Sequence, residues 1–276
     1  MKIKRHSDFI VETFVLKDFE KVSDYLSAKG FVFENDLWNC NKSVIIENKY
    51  RQLLVKDGKL IVKFGKIIGK FTFSGGGTET KLTSVIGLPT YSKTLDVSYN
   101  EITSLEGIGD FDNLDAANNM ITSLKGLPKN IEGSLDLQDN DLKTLKGGPD
   151  TIGSYFDVSE NDLTDLQGAP LVETSFYVHG NMLKTLFGLK RIDRSISIVD
   201  AGEDVPKEEV SFANSKMTSI GYVVKDYVLE LVEYVVAEFG PNNVANLNLP
   251  EEYLSTLPDD IRNIYTSAKG LKKFNM

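Results

Sequence analysis

Residues 142–161 read LKTLKGGPDTIGSYFDVSEN, and the stretch around them repeats the same pattern in both directions. Between residues 82 and 199 the turns are LTSVIGLPTYSKTLDVSYNE, ITSLEGIGDFDNLDAANNM, ITSLKGLPKNIEGSLDLQDND, LKTLKGGPDTIGSYFDVSEND, LTDLQGAPLVETSFYVHGNM and LKTLFGLKRIDRSISIV. Their lead residues are Leu82, Ile102, Ile121, Leu142, Leu163 and Leu183, at steps of 20, 19, 21, 21 and 20 residues. Asn100, Asn119, Asn140, Asn161 and Asn181 keep step with them. A fixed period of this length means that each repeat is one coil whose apolar side is covered only by its neighbours.

Within a coil the residue types divide by job. Side chains alternate along a strand, so Leu95 and Val97 point into the core and Asp96 points out. The same inward pairing predicts cores at Leu114/Ala116, Leu135/Leu137, Phe156/Val158, Phe176/Val178 and Ile196/Ile198. Each repeated Asn is expected to turn inward and bond backbone groups left open at the bend, so the five stack as a structural ladder. Gly87, Gly107, Gly126, Gly147, Gly168 and Gly188, with nearby prolines, predict a tight, non-helical return side.

The outward positions are not dictated by core or turn. Asp96, Asp115, Asp136 and Asp157 should stack on successive strands about 4.8 Å apart, followed by Tyr177 and Ser197. Like charges at that spacing repel. The reading is a partner-binding stripe with Tyr155, Tyr177 and His179 at one end. Small polar neighbours, among them Ser98, Ala117 and Ser159, are expected to leave the carboxylates open. A weak divalent-cation site, or aspartates simply copied by duplication, are the other readings of that row.

Before the repeats, residues 1–74 predict a small α/β unit: a helix over 17–29 stopped by Gly30, strands at 31–33 and 43–47, and a hairpin about Asp57–Gly58. Phe71–Thr72–Phe73 falls where a repeat strand would, so the sheet is expected to begin there. Ser74 to Thr78 is Gly-rich but lacks the spacing of a phosphate-binding loop, and reads as a junction. Beyond residue 199 an acidic excursion precedes one further copy of the pattern, with Val210–Ser211–Phe212 as its strand and Met217 as its lead. A helix over 222–239, a short strand at 245–249 and two more helices predict a helical end.

Composition narrows the function classes. The chain has 276 residues and a net charge of −9. Residues 1–74 hold 14 Lys/Arg against 9 Asp/Glu, and the remainder 17 against 31. An acidic solenoid disfavours direct nucleic-acid binding and favours a protein partner with a basic surface. One Cys, two His and no long apolar run predict no internal disulfide, no His-rich metal site, no cofactor, no membrane span and a reducing, cytoplasmic setting.

The period, with L-x-x-L and L-x-L-x-x-N in register, is the signature of a leucine-rich repeat. The repeat at 142–161 resembles the short leucine-rich repeats of bacterial and tailed-phage proteins, particularly those of large T4-like phages, over residues 71–220. That resemblance implies a right-handed horseshoe with a parallel sheet on the concave side, and protein binding, here to a host factor. Related bacterial effectors sometimes carry a ubiquitin-ligase domain with a catalytic Cys, but no Cys follows the repeats here. An extra residue between Ile131 and Leu135, and between Ile152 and Phe156, departs from the usual spacing and predicts a bulge or altered curvature.

The expected architecture is therefore an α/β leucine-rich repeat solenoid over 75–220, with an N-terminal α/β cap over 1–74 and a helical C-terminal cap over 221–276. The expected function is non-enzymatic binding of a protein. Alternatives are an acidic mimic of DNA that occupies a nucleic-acid enzyme, a self-associating structural component, and an enzyme sited in the N-terminal unit around Asp36, Cys40 and Glu47.

Overall fold

A computed structural model describes residues 16–75, 80–190, 195–197, 208–212, 221–223, 228–249, 251–255 and 257–274. Gly76 to Thr78, Ile198, residues 200–207 and Met217 therefore lie outside the described residues. The described chain begins with helix α1 (Leu16–Ala28), strands β1 (Val32–Glu34), β2 (Leu37–Cys40) and β3 (Val44–Ile45), and a one-turn helix α2 (Asn48–Arg51). The hairpin β4 (Val55–Lys56) and β5 (Lys59–Leu60) and the long strand β6 (Phe64–Thr72) follow. The repeats then supply β7 (Tyr91–Asp96), β8 (Asp110–Asp115), β9 (Asn130–Ile131), β10 (Leu135–Asp136), β11 (Thr151–Ile152), β12 (Phe156–Asp157), β13 (Leu171–Val172), β14 (Ser175–Tyr177) and β15 (Ser195–Ser197).

These elements make a parallel-strand β-solenoid of about five turns. Its ten-stranded sheet runs β1-β2-β6-β7-β8-β10-β12-β14-β15, with β3 also on β6. From β6 onward every step is parallel, and β6 enters in repeat register, Phe71 opposite Leu95 and Thr72 opposite Asp96. The extra residue before the later strands has a specific consequence. In the first turns β7 and β8 are continuous six-residue strands. In the next turns the strand splits, and β9, β11 and β13 form a separate parallel three-stranded ladder ahead of the main one.

The core is the stack of lead and inward residues. Leu82, Ile102, Ile121, Leu142 and Leu163 are fully buried, as are Leu95, Leu135, Phe156 and Phe176. Phe156 and Phe176 stack almost face to face, with centroids 5.2 Å apart and planes 5° from parallel. Each coil alone would leave this surface wet, so the gain comes from stacking.

The Asn side chains form a continuous ladder at the bend. Asn140 donates its amide to the carbonyls of Ala116, Leu137 and Gln138 at 3.1–3.2 Å, and its Oδ1 accepts the Ile121 N–H at 2.9 Å. Asn119 and Asn161 make the same four bonds one turn either side. Asn100 and Asn181 continue the pattern at the two ends. The residue before each Asn takes a left-handed conformation: Tyr99, Asn118, Asp139 and Glu160 at φ of 57°, 56°, 53° and 53°, and Gly180 at 66°. That kink brings the amide inward. On the return side the repeated glycines all have φ between 86° and 102°. At Gly168 a Cβ would come within 2.6 Å of the Leu145 backbone.

At its first turn the ladder is closed by a residue from outside the repeats. Aligning Phe73 with Val97 in the sequence puts Gly76, which has no side-chain amide, at the Asn position. Arg51 is completely buried, and its Nη2 donates to the Phe73 carbonyl at 2.6 Å and to Asn100 Oδ1 at 3.3 Å. The Phe73 bond is the counterpart of the one Asn100 makes to Val97. The guanidinium lies 4.0 Å from the Phe73 ring centroid, and burial pushes its pKa down to about 10.

After β15 the repeat pattern does not continue as expected. Strand β16 (Glu208–Phe212), which contains Val210–Ser211–Phe212, pairs antiparallel with β17 (Gly221–Val223) and with β18 (Leu247–Asn248), outside the main sheet. Tyr222 and Val223 therefore belong to a strand, and the described helix α3 spans Val228–Phe239. β-Branched Val223 beside Tyr222 suits a strand, and pairing with β16 outweighs the helical spacing of the segment. A 3₁₀ turn (Pro241–Asn246), the one-turn helix α4 (Glu251–Leu254) and helix α5 (Asp259–Phe274) complete the described chain. Among the described residues no helix is long and apolar enough to cross a membrane.

Candidate functional site

Asp96, Asp115, Asp136 and Asp157 stand directly opposite one another on β7, β8, β10 and β12, and the row continues through Tyr177 and Ser197. The reason is the match between a period of about twenty residues and one coil. A strict register then puts like positions on adjacent strands.

The four aspartates are not equivalent. Asp96 is only 6% exposed. Its Oδ2 pairs with Lys70 Nζ at 2.8 Å, and its Oδ1 accepts the Ser98 hydroxyl at 2.9 Å. The expectation of an open carboxylate fails here because β6 extends the sheet and carries Lys70 alongside. Nothing local in the sequence joins the two residues, since they meet only through the β6–β7 register. Ser98, Ala117 and Ser159 are buried too, against the expectation that they flank the row openly. Alternation holds for one residue past each aspartate, with Val97, Ala116, Leu137 and Val158 fully buried, and stops after it, where the chain bends.

Asp115, Asp136 and Asp157 are half-buried, and each also closes a turn. Their Oδ1 atoms accept the N–H two residues on, from Ala117 at 3.3 Å, Gln138 at 3.1 Å and Ser159 at 2.9 Å. Asp157 further accepts the Ser159 hydroxyl at 2.5 Å. Burial raises the Asp136 pKa to about 6, opposed by the Gln138 bond and reinforced by Asp157 and Asp115. Asp115 is held above the ordinary carboxyl range by burial and then by Asp96.

Tyr155 and Tyr177 meet edge to face beside this row, centroids 6.4 Å apart. Burial, then the charges of Asp136, Asp115 and Asp157, push the Tyr155 phenol to about 12, so it stays protonated as a donor. His179 is half-buried two residues beyond Tyr177, and its carbonyl accepts bonds from Asn181 and Glu160. The arrangement offers three carboxylates and two phenols on one face, a surface suited to ammonium or guanidinium groups. Among the described residues no group of three or more His, Cys, Asp and Glu side chains is placed to hold a metal ion.

The residues considered for chemistry in the N-terminal unit are occupied separately. Cys40 is buried with its thiol directed at the Gly30 carbonyl, 3.4 Å away. Glu47 pairs with Lys29 at 2.6 Å and Lys49 at 3.4 Å. Asp36 sits in the β1–β2 turn at φ 63°. Comparison of the chain with protein-family models, with curated proteins and with solved structures finds no match.

Proposed function

We propose that this chain is a leucine-rich-repeat-type interaction module, and that the outer sheet face around Asp115, Asp136, Asp157, Tyr155, Tyr177 and His179 binds a protein with a basic surface. One observation carries the reading: three carboxylates stand in register on one sheet face, and burial with the charge of neighbouring aspartates disfavours ionisation of two of them, Asp115 and Asp136. Asparagine or serine would close the same turns through a neutral oxygen and avoid the repulsion. A cationic partner is what converts that cost into affinity, and Tyr155 and Tyr177 supply aromatic surface beside it. On this reading the chain works without catalysis or cofactor, and the units before and after the repeats are caps that cover the apolar ends of the stack. The resemblance to repeats of T4-like phages would make the partner a bacterial host protein met in the cytoplasm.

The test is affinity capture with quantitative mass spectrometry, comparing wild type with the triple variant Asp115→Asn, Asp136→Asn, Asp157→Asn. Basic partners should be recovered by the wild type and lost by the variant. Equal recovery of every partner would remove the row from the function.

A further inference from the structure

At the far end of the solenoid, a groove of about 400 Å³ lies between the last repeat turn and α3. Its apolar wall is Phe187, Leu189, Tyr234 and Ala237, and its rim carries Glu233 and Glu238. Phe187 is 64% exposed. Its repeat position is polar in the four preceding turns, where Glu106, Lys125, Lys146 and Gln167 stand. A lone exposed phenylalanine needs no explanation, but one that lines a groove beside two exposed carboxylates does.

The groove is built rather than incidental. Glu230 Oε2 accepts the Thr185 hydroxyl at 2.8 Å and the Leu186 N–H, and the Tyr234 hydroxyl donates to the Lys190 carbonyl at 3.3 Å. These bonds fix α3 on the last turn and so set the position of one groove wall against the other. Glu233 and Glu238 have no ion pair among the described residues.

We propose that this groove is a second docking site, separate from the aspartate row, and that it takes a short basic and apolar segment of a partner protein. Charge complementarity selects the occupant. The stems of lysine and arginine cover apolar surface while their cations reach a polar rim, which is the chemistry that Phe187 and Leu189 under Glu233 and Glu238 present. The volume suits a few side chains rather than a whole domain.

The probe is a fluorescein-labelled peptide, LKALRKAL, with LEALEEAL as its control, titrated by anisotropy against the whole chain at low salt. The basic peptide should bind and the acidic one should not. Phe187→Ser, and Glu233→Lys with Glu238→Lys, should each weaken binding about tenfold or more, the factor expected for removing an aromatic anchor or inverting its charged rim. Glu230 is left intact because it anchors α3. Asp115→Asn with Asp157→Asn, measured in parallel, shows how much of the signal comes from the aspartate row, so failure here is distinct from failure at the row. Unchanged binding in the groove variants, or loss only in the aspartate variant, would overturn the proposal. So would concentration-dependent growth in mass by light scattering that Phe187→Ser abolishes, because the occupant would then be a second copy.

Discussion

Asp136→Asn should make this protein more stable at neutral pH. The carboxyl has a pKa of about 6 when folded against an ordinary value of 3.8. For an acid raised in this way, the folded state binds the proton more tightly than the unfolded state. Its contribution to stability is therefore fully present below pH 3.8 and is lost as pH rises through about 6. Two pKa units correspond to about 3 kcal/mol at most. Asp136 is only half-buried, so solvent screening brings the figure to about 1–2 kcal/mol. Asparagine keeps an Oδ1 for the Gln138 N–H, so the turn survives and only the charge goes. Urea unfolding followed by far-UV circular dichroism at pH 7.5 and 4.5 measures the effect. The variant should have the higher midpoint at pH 7.5, and the gap should narrow to about a third at pH 4.5, where the folded wild-type carboxyl is protonated but the unfolded one is still largely ionised. A variant no more stable than wild type at pH 7.5, or a gap that widens on acidification, would refute the argument. Asp96→Asn serves as the contrast and should destabilise, because it breaks the Lys70 pair.

Three further outcomes rest on the frame. Asn140→Ala removes four hydrogen bonds at a buried bend and should cost about 3–5 kcal/mol in urea unfolding, beyond an ordinary surface substitution. Gly168→Ala should cost about 2–3 kcal/mol, since φ of 92° and the Leu145 backbone both oppose a Cβ; thermal unfolding should show a lowered midpoint. Arg51→Ala should cost about 2–4 kcal/mol by emptying a buried site beside Phe73. It should also speed amide hydrogen exchange at Leu82, whose N–H bonds the Asn100 side chain that Arg51 touches.

The sequence by itself determined the coil. A recurrence of about twenty residues fixes which residues face inward, and five Asn in step with the lead residues fix the bend, because each repeat can bury its apolar side only against a copy of itself. The same periodicity was enough to put four aspartates in one row. Which of them face solvent was decided by the tertiary structure. Lys70 reaches Asp96 only because β6 joins the sheet in repeat register; Phe71–Thr72–Phe73 marks the strand in the sequence, but not the reach of the neighbouring lysine across to the next one. Arg51 closes the Asn ladder from a one-turn helix outside the repeats, and no spacing rule foretells that meeting. Past β15 the sequence Val210–Ser211–Phe212 reads like another coil, yet antiparallel partners are available to β16. Alternating apolar residues satisfy a parallel or an antiparallel neighbour equally well, so the choice lies with whichever strand the folded chain brings alongside.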